Sequence, residues 1–96
     1  MVRRRQSHIL QVILEKVQNG QYRLSDHALV EMDDENVLEG DVHFGIQHGR
    51  LIKKLTRDPR GLRYVIQGPT MDGREIQVVC RIVAERVRII TVYLVE

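Results

Sequence analysis

Four side chains of this sequence have chemistry suited to a phosphate: His27, Arg63, Arg81 and Tyr93. An imidazole titrates near neutrality, which makes His27 the natural acid or base of the set. Two guanidiniums can clamp a phosphate through their planar forks of donors, and a phenol can stack on a base or transfer a proton. Arg63, Arg81 and Tyr93 each alternate with the apolar residues of their own segment, so in the simplest strand register all three share one face of a sheet. Each also has a plain structural reading. His27 can bind a backbone carbonyl at the start of its helix or pair with a nearby carboxylate, and arginines with a tyrosine are ordinary cover for an exposed sheet.

Other reactive side chains point to less. His43 and His48 are five apart and do not share a helix face, and Cys80 is the single cysteine, so no metal site and no cofactor are expected. The place of Cys80 in an apolar alternation marks a core thiol rather than a nucleophile. Glu31 to Asp41 carries six acids and no base. That run is either a solvated helix end or a dock for a basic partner, such as a second copy of the chain. Arg3-Arg4-Arg5 is a frayed terminus or an aid to nucleic-acid binding.

The elements that must hold these residues follow from periodicity. Ile9, Leu10, Ile13, Leu14 and Val17 form one stripe of a helix, which Asn19-Gly20 stops. Tyr22-Arg23-Leu24 is a short extended link. Ser25 caps a second helix, with Ala28, Leu29 and Met32 facing inward and Asp33-Asp34-Glu35-Asn36 at its end. Glu39 to His48 reads as a third helix, weakened by Gly40 and Gly45. Leu51 to Thr56 and Leu62 to Gly68 are strands joined by an Asp58-Pro59-Arg60-Gly61 turn, and Met71-Asp72-Gly73-Arg74 is a tight turn into the next strand. From Arg74 to Glu96 the chain forms a long antiparallel hairpin, reversing at Ala84-Glu85-Arg86. Ile76, Val78, Cys80 and Ile82 line one side of its first arm. In the second arm Ile90, Val92 and Leu94 fall on one face, and Ile89, Thr91, Tyr93 and Val95 on the other. The expected fold is a single α+β domain over residues 1–96, with two or three N-terminal helices packed on a four-stranded antiparallel sheet.

Tyr22-Arg23-Leu24-Ser25-Asp26-His27-Ala28, Met32, Val37, Val42, Arg63-Tyr64-Val65-Ile66-Gln67-Gly68, Gly73-Arg74, Val78-Val79 and Ile89-Ile90-Thr91-Val92-Tyr93, in that order, carry a resemblance. Together they resemble a small bacterial family of unknown function that opens on a Ser/Thr-x-His-Ala helix and closes on an Ile-Ile-Thr-Val-Tyr strand. That family looks related to the RelE, ParE and BrnT-like toxins. The resemblance implies a RelE-like fold and a toxin of a toxin-antitoxin pair, an endoribonuclease that cuts mRNA without a metal. Such cleavage needs a base for the 2′-hydroxyl proton, an acid for the leaving 5′-oxygen and cations for the charge on phosphorus, roles that fall to His27, Arg63, Arg81 and Tyr93. The alternative is a catalytically inactive protein-interaction module of the same fold. This chain departs from the pattern by carrying Glu31 and Glu35 where arginines are usual and Leu38 where a Ser/Thr cap is usual. Two anions near His27 reverse the local field that a phosphate would meet.

At 96 residues, 43% hydrophobic and 29% charged, the chain is an ordinary globular domain. Met1 to Gly49 has 5 Lys+Arg against 8 Asp+Glu, and Arg50 to Glu96 has 10 against 5, an acidic helical half and a basic sheet half. With no export signal or membrane span legible, the expected location is cytoplasmic. The expected partners are an antitoxin protein and RNA or the ribosome, with a homo-oligomer also open. Without tryptophan and with one phenylalanine, the chain has little surface for extended base stacking.

Overall fold

A computed structural model describes residues 5–56 and 61–96, with side chains from His8 onward. The Arg3-Arg4 start, the Arg5 side chain and residues 57–60, which take in all but Gly61 of the expected Asp58-Pro59-Arg60-Gly61 turn, lie outside the described residues. The elements run α1 (Arg5–Gln18), β1 (Tyr22–Leu24), α2 (Asp26–Glu35), α3 (Glu39–His48), β2 (Arg50–Leu55), β3 (Arg63–Pro69), β4 (Glu75–Val83) and β5 (Arg86–Leu94). The class is α+β. The sheet, however, has five strands in the order β1-β5-β4-β3-β2, and it is mixed rather than purely antiparallel. Tyr22-Arg23-Leu24 is not a free link: it pairs parallel with β5, Tyr22 beside Val87 and Leu24 beside Ile89. Three residues carry no period of their own, so this pairing depends wholly on the partner strand's open edge.

One face of the sheet holds the core. Ile13 and Val17 of α1, Ala28 and Met32 of α2, and Val42 and Ile46 of α3 pack on Ile66, Ile76, Val78, Cys80, Val87, Ile89 and Val92. Each fully buried isoleucine or valine there contributes roughly 1.5–3 kcal/mol. Leu29, expected to face inward, is exposed, because the buried line of α2 runs from Ala28 to Met32 in one turn and Leu29 stands about 100° around from Ala28. The third helix approaches β3 at backbone distance: a Cβ on Gly68 would stand 2.0 Å from the Gly45 carbonyl oxygen. Glycine is therefore required at position 68, and within α3 a Cβ on Gly45 would crowd Ile76 at 3.1 Å and the Pro69 carbonyl at 3.3 Å.

The hairpin of β4 and β5 contains the main departure from simple alternation. Val79 pairs with Thr91 but Cys80 pairs with Ile89, so Ile90 is the extra residue of a β-bulge. The bulge shifts the face parity of β5. Val87, Ile89 and Val92 are fully buried in the core, whereas Ile90 turns to the other side. The expected grouping of Ile90 with Val92, and of Ile89 with Thr91, is corrected accordingly. Among the described residues no helix is long and apolar enough to cross a membrane.

Candidate functional site

Beyond Leu24 the β1 strand stops, and the edge of β5 from Ile90 onward needs other partners. Ser25 and Glu31 supply them. The Ser25 amide donates to the Ile89 carbonyl at 2.9 Å, the Ser25 hydroxyl donates to the Ile90 carbonyl at 2.8 Å, and the Ala28 amide donates to Ser25 Oγ at 3.0 Å as the helix cap. One turn on, a Glu31 carboxylate oxygen accepts the Val92 amide at 3.0 Å. These bonds fix the first turn of α2 against the bulged part of β5 and bring His27 to the sheet's margin. His27 Nε2 lies 3.2 Å from the second Glu31 oxygen, with the imidazole 66% exposed. A proton held on Nε2 by that carboxylate leaves Nδ1 with the lone pair.

The face of the sheet away from the helices carries the arginines. Arg81 pairs across to Arg88 of β5, and the register that sets Tyr64 against Cys80 brings Arg63 opposite Arg81 one step further. Ser25, His27, Arg63, Arg81, Arg88 and Ile90 line a cleft of about 610 Å³ where this face meets the start of α2. Three of the four expected site residues thus converge. Arg81 is largely buried although charged. A cleft with three guanidiniums, a hydroxyl and an imidazole can hold an anion and exchange a proton beside it.

Tyr93 shares the face but not the cleft. It lines a neighbouring groove of about 320 Å³ with Ile52, Lys53, Val65, Val79 and Thr91, and Arg63 borders both spaces. The cross-strand set Tyr93, Gln77 and Gln67 lies four residues along β4 from Arg81, about 13 Å at strand rise. The Tyr93 hydroxyl donates to Gln77 Oε1, and the Gln77 amide donates to Gln67 at 2.9 Å. The phenol is therefore placed to border a base-sized groove rather than to exchange a proton beside His27.

Half of the acidic run is committed inside the molecule. Glu31 serves β5 as described, and buried Asp41 accepts the Leu38 amide at 2.9 Å and the Met71 amide at 2.9 Å. Asp41 thereby compensates for the missing hydroxyl at Leu38, which caps α3 without a side-chain bond of its own. Glu39 accepts the Tyr22 hydroxyl, which His43 Nε2 also contacts at 2.8 Å. Burial, the Glu39 hydrogen bond and its charge push the Tyr22 phenol up to about 12. The other acids of the run, Asp33, Asp34 and Glu35, are exposed at the end of α2. Arg74 answers them by donating to the Glu35 carbonyl at 2.7 Å and the Asn36 carbonyl at 2.8 Å, capping the negative end of α2. Cys80 is buried and free, as its alternation implied. No group of three His, Cys, Asp or Glu able to hold a metal occurs among the described residues.

Sequence reasoning missed Arg88 and Ser25 as cleft residues. Strict alternation on β5 groups Arg88 with Ile90 and Val92, and only the bulge turns Arg88 to the open face. Ser25 was legible as a cap, but nothing in the sequence placed it against Ile90. Comparison with curated proteins and with solved structures finds no significant match. Residues 24–94 match the family model described as "Domain of unknown function (DUF4258)", a span that holds His27, Arg63, Arg81, Arg88 and Tyr93. The chain belongs to that family.

Proposed function

We propose that this protein is the toxin of a toxin-antitoxin pair, a metal-independent endoribonuclease acting on mRNA in the cytoplasm. The observation that carries the reading is the convergence of His27, Arg63, Arg81 and Arg88 on one cleft of about 610 Å³. The α+β class supports the reading through the resemblance to RelE, ParE and BrnT-like toxins, while the fifth, parallel strand β1 is not part of that expectation. In the reaction, the 2′-oxygen of one nucleotide forms a bond to phosphorus as the bond from phosphorus to the 5′-oxygen breaks. His27 takes the 2′-hydroxyl proton through Nδ1, with Glu31 steadying the imidazolium. The leaving 5′-oxygen regains a proton from solvent or from the returning imidazolium, and Arg63 and Arg81 offset the charge on the phosphoryl oxygens. Tyr93 borders the adjoining groove, where a base fits.

Expression of the wild-type protein is expected to arrest growth, with rescue by a neighbouring antitoxin gene. Purified His27→Ala should cut RNA about 10²–10⁴-fold more slowly, the usual worth of a general acid or base. Circular dichroism checks that the fold is kept. Tyr93→Phe, which preserves the ring, should retain most of the rate. Harmless expression together with no RNA cleavage by folded wild-type protein would overturn the nuclease and leave the inactive interaction module.

A further inference from the structure

The strand register places a fourth arginine in line with the three in the cleft. Arg23 of β1 sits beside Arg88 of β5, Arg88 sits opposite Arg81 of β4, and Arg63 of β3 follows in the same register. Paired residues on neighbouring strands project to the same side. Since Tyr22 and Leu24 are partners of the core residues Val87 and Ile89, Arg23 and Arg88 project to the open face. Four guanidiniums therefore form a row across four adjacent strands, with steps of about 4.8 Å and a length of about 14 Å. Like charges set directly opposite each other weaken a sheet. Among the described residues neither the Arg23 nor the Arg88 side chain has a hydrogen-bond or ion-pair partner, and both are exposed.

We infer that this row is a track for the phosphodiester backbone of single-stranded RNA, with Arg23 and Arg88 as positioning residues outside the reacting phosphate. The inference rests on the RNA reading of the cleft and adds the direction of the strand, which runs across the sheet from β3 to β1. On the RNA reading Arg63 and Arg81 serve the reacting phosphate, so cations continuing through Arg88 to Arg23 fit a ligand with repeated charges. The groove holding Tyr93 joins the row at Arg63, and its apolar floor of Ile52, Val65 and Val79 beside a phenol suits a base next to a bound phosphate. An acidic peptide has no use for that floor in such proximity to the row.

The test is fluorescence anisotropy of a labelled short oligouridylate against salt, in a His27→Ala background that keeps the probe intact. Each of Arg23→Ala and Arg88→Ala should lower the slope of log affinity against log salt by about 0.7, and the double substitution by twice that. Arg23→Lys should retain the slope. Uridine monophosphate should bind Arg23→Ala and its parent alike, because it is too short to reach β1. An unchanged slope in Arg23→Ala, or polyglutamate binding with the same loss on substitution, would overturn the track. Binding that follows the row in a protein that never cuts RNA would instead sink the nuclease and keep the track, so the two ideas fail separately.

Discussion

Glu31 illustrates how a single residue changes meaning once its neighbours are known. As a bare departure from the arginine usual in similar sequences it suggests a repelled phosphate or a docking charge. In the fold its carboxylate closes an otherwise open strand edge at Val92 and steadies His27 at 3.2 Å. The ion pair itself is worth little with the imidazole mostly exposed. The Val92 amide is a different matter, because a shielded N–H without an acceptor costs about 1–3 kcal/mol. Glu31→Ala should therefore destabilise the protein by that amount in urea unfolding. Glu31→Gln keeps an acceptor and should lose much less, and Glu35→Ala, whose side chain is exposed, should be near neutral. Equal losses for all three substitutions would mean that helix charge, rather than the Val92 bond, sets the effect.

At the scale of elements, the β4–β5 hairpin was legible because two alternating apolar arms and a short charged join have few other solutions. Its turn is nevertheless built from the wrong residues for its geometry. Ala84 and Glu85 both have positive φ, 50° and 70°, the conformation in which Asn-Gly is favoured and other residues are strained by about 1–2 kcal/mol each. Glu85 in return accepts from Lys16 Nζ through its carbonyl at 3.0 Å, tying the turn to α1, and Gly at that position keeps the carbonyl. Ala84→Asn/Glu85→Gly should raise stability by about 1 kcal/mol or more, read as a higher urea midpoint with an unchanged slope. A lower midpoint would show that the Glu85 side chain matters more than the backbone strain. What was not legible has the same physical origin in each case. The bulge at Ile90, the parallel pairing of Tyr22-Arg23-Leu24 and the grouping of Arg88 with Arg81 are contacts between distant segments. Alternation within one strand carries no information about which neighbour receives an extra residue. His27, Arg63 and Arg81 could be chosen by type and face, whereas their shared cleft, and the separation of Tyr93 from it, depended on register.

Across the whole molecule the charge asymmetry between the two halves becomes a division of surfaces. Exposed acids gather at the end of α2, arginines line up across the open sheet, and the helix-covered face is apolar. Cys80 lies at the middle of that apolar layer, on the central strand β4, where burial pushes its thiol up to about 12. A thiol so placed reacts only when the sheet opens. Alkylation of Cys80 under native conditions should therefore be slow and should follow global stability. Arg23→Ala, on the exposed row, should leave the rate unchanged. Glu31→Ala, by contrast, should speed it by about 5–150-fold, the population equivalent of 1–3 kcal/mol. If Glu31→Ala weakens the fold in urea but leaves Cys80 alkylation unchanged, the thiol is reached by a local opening of β4. The helix and sheet layers would then not unfold as one unit.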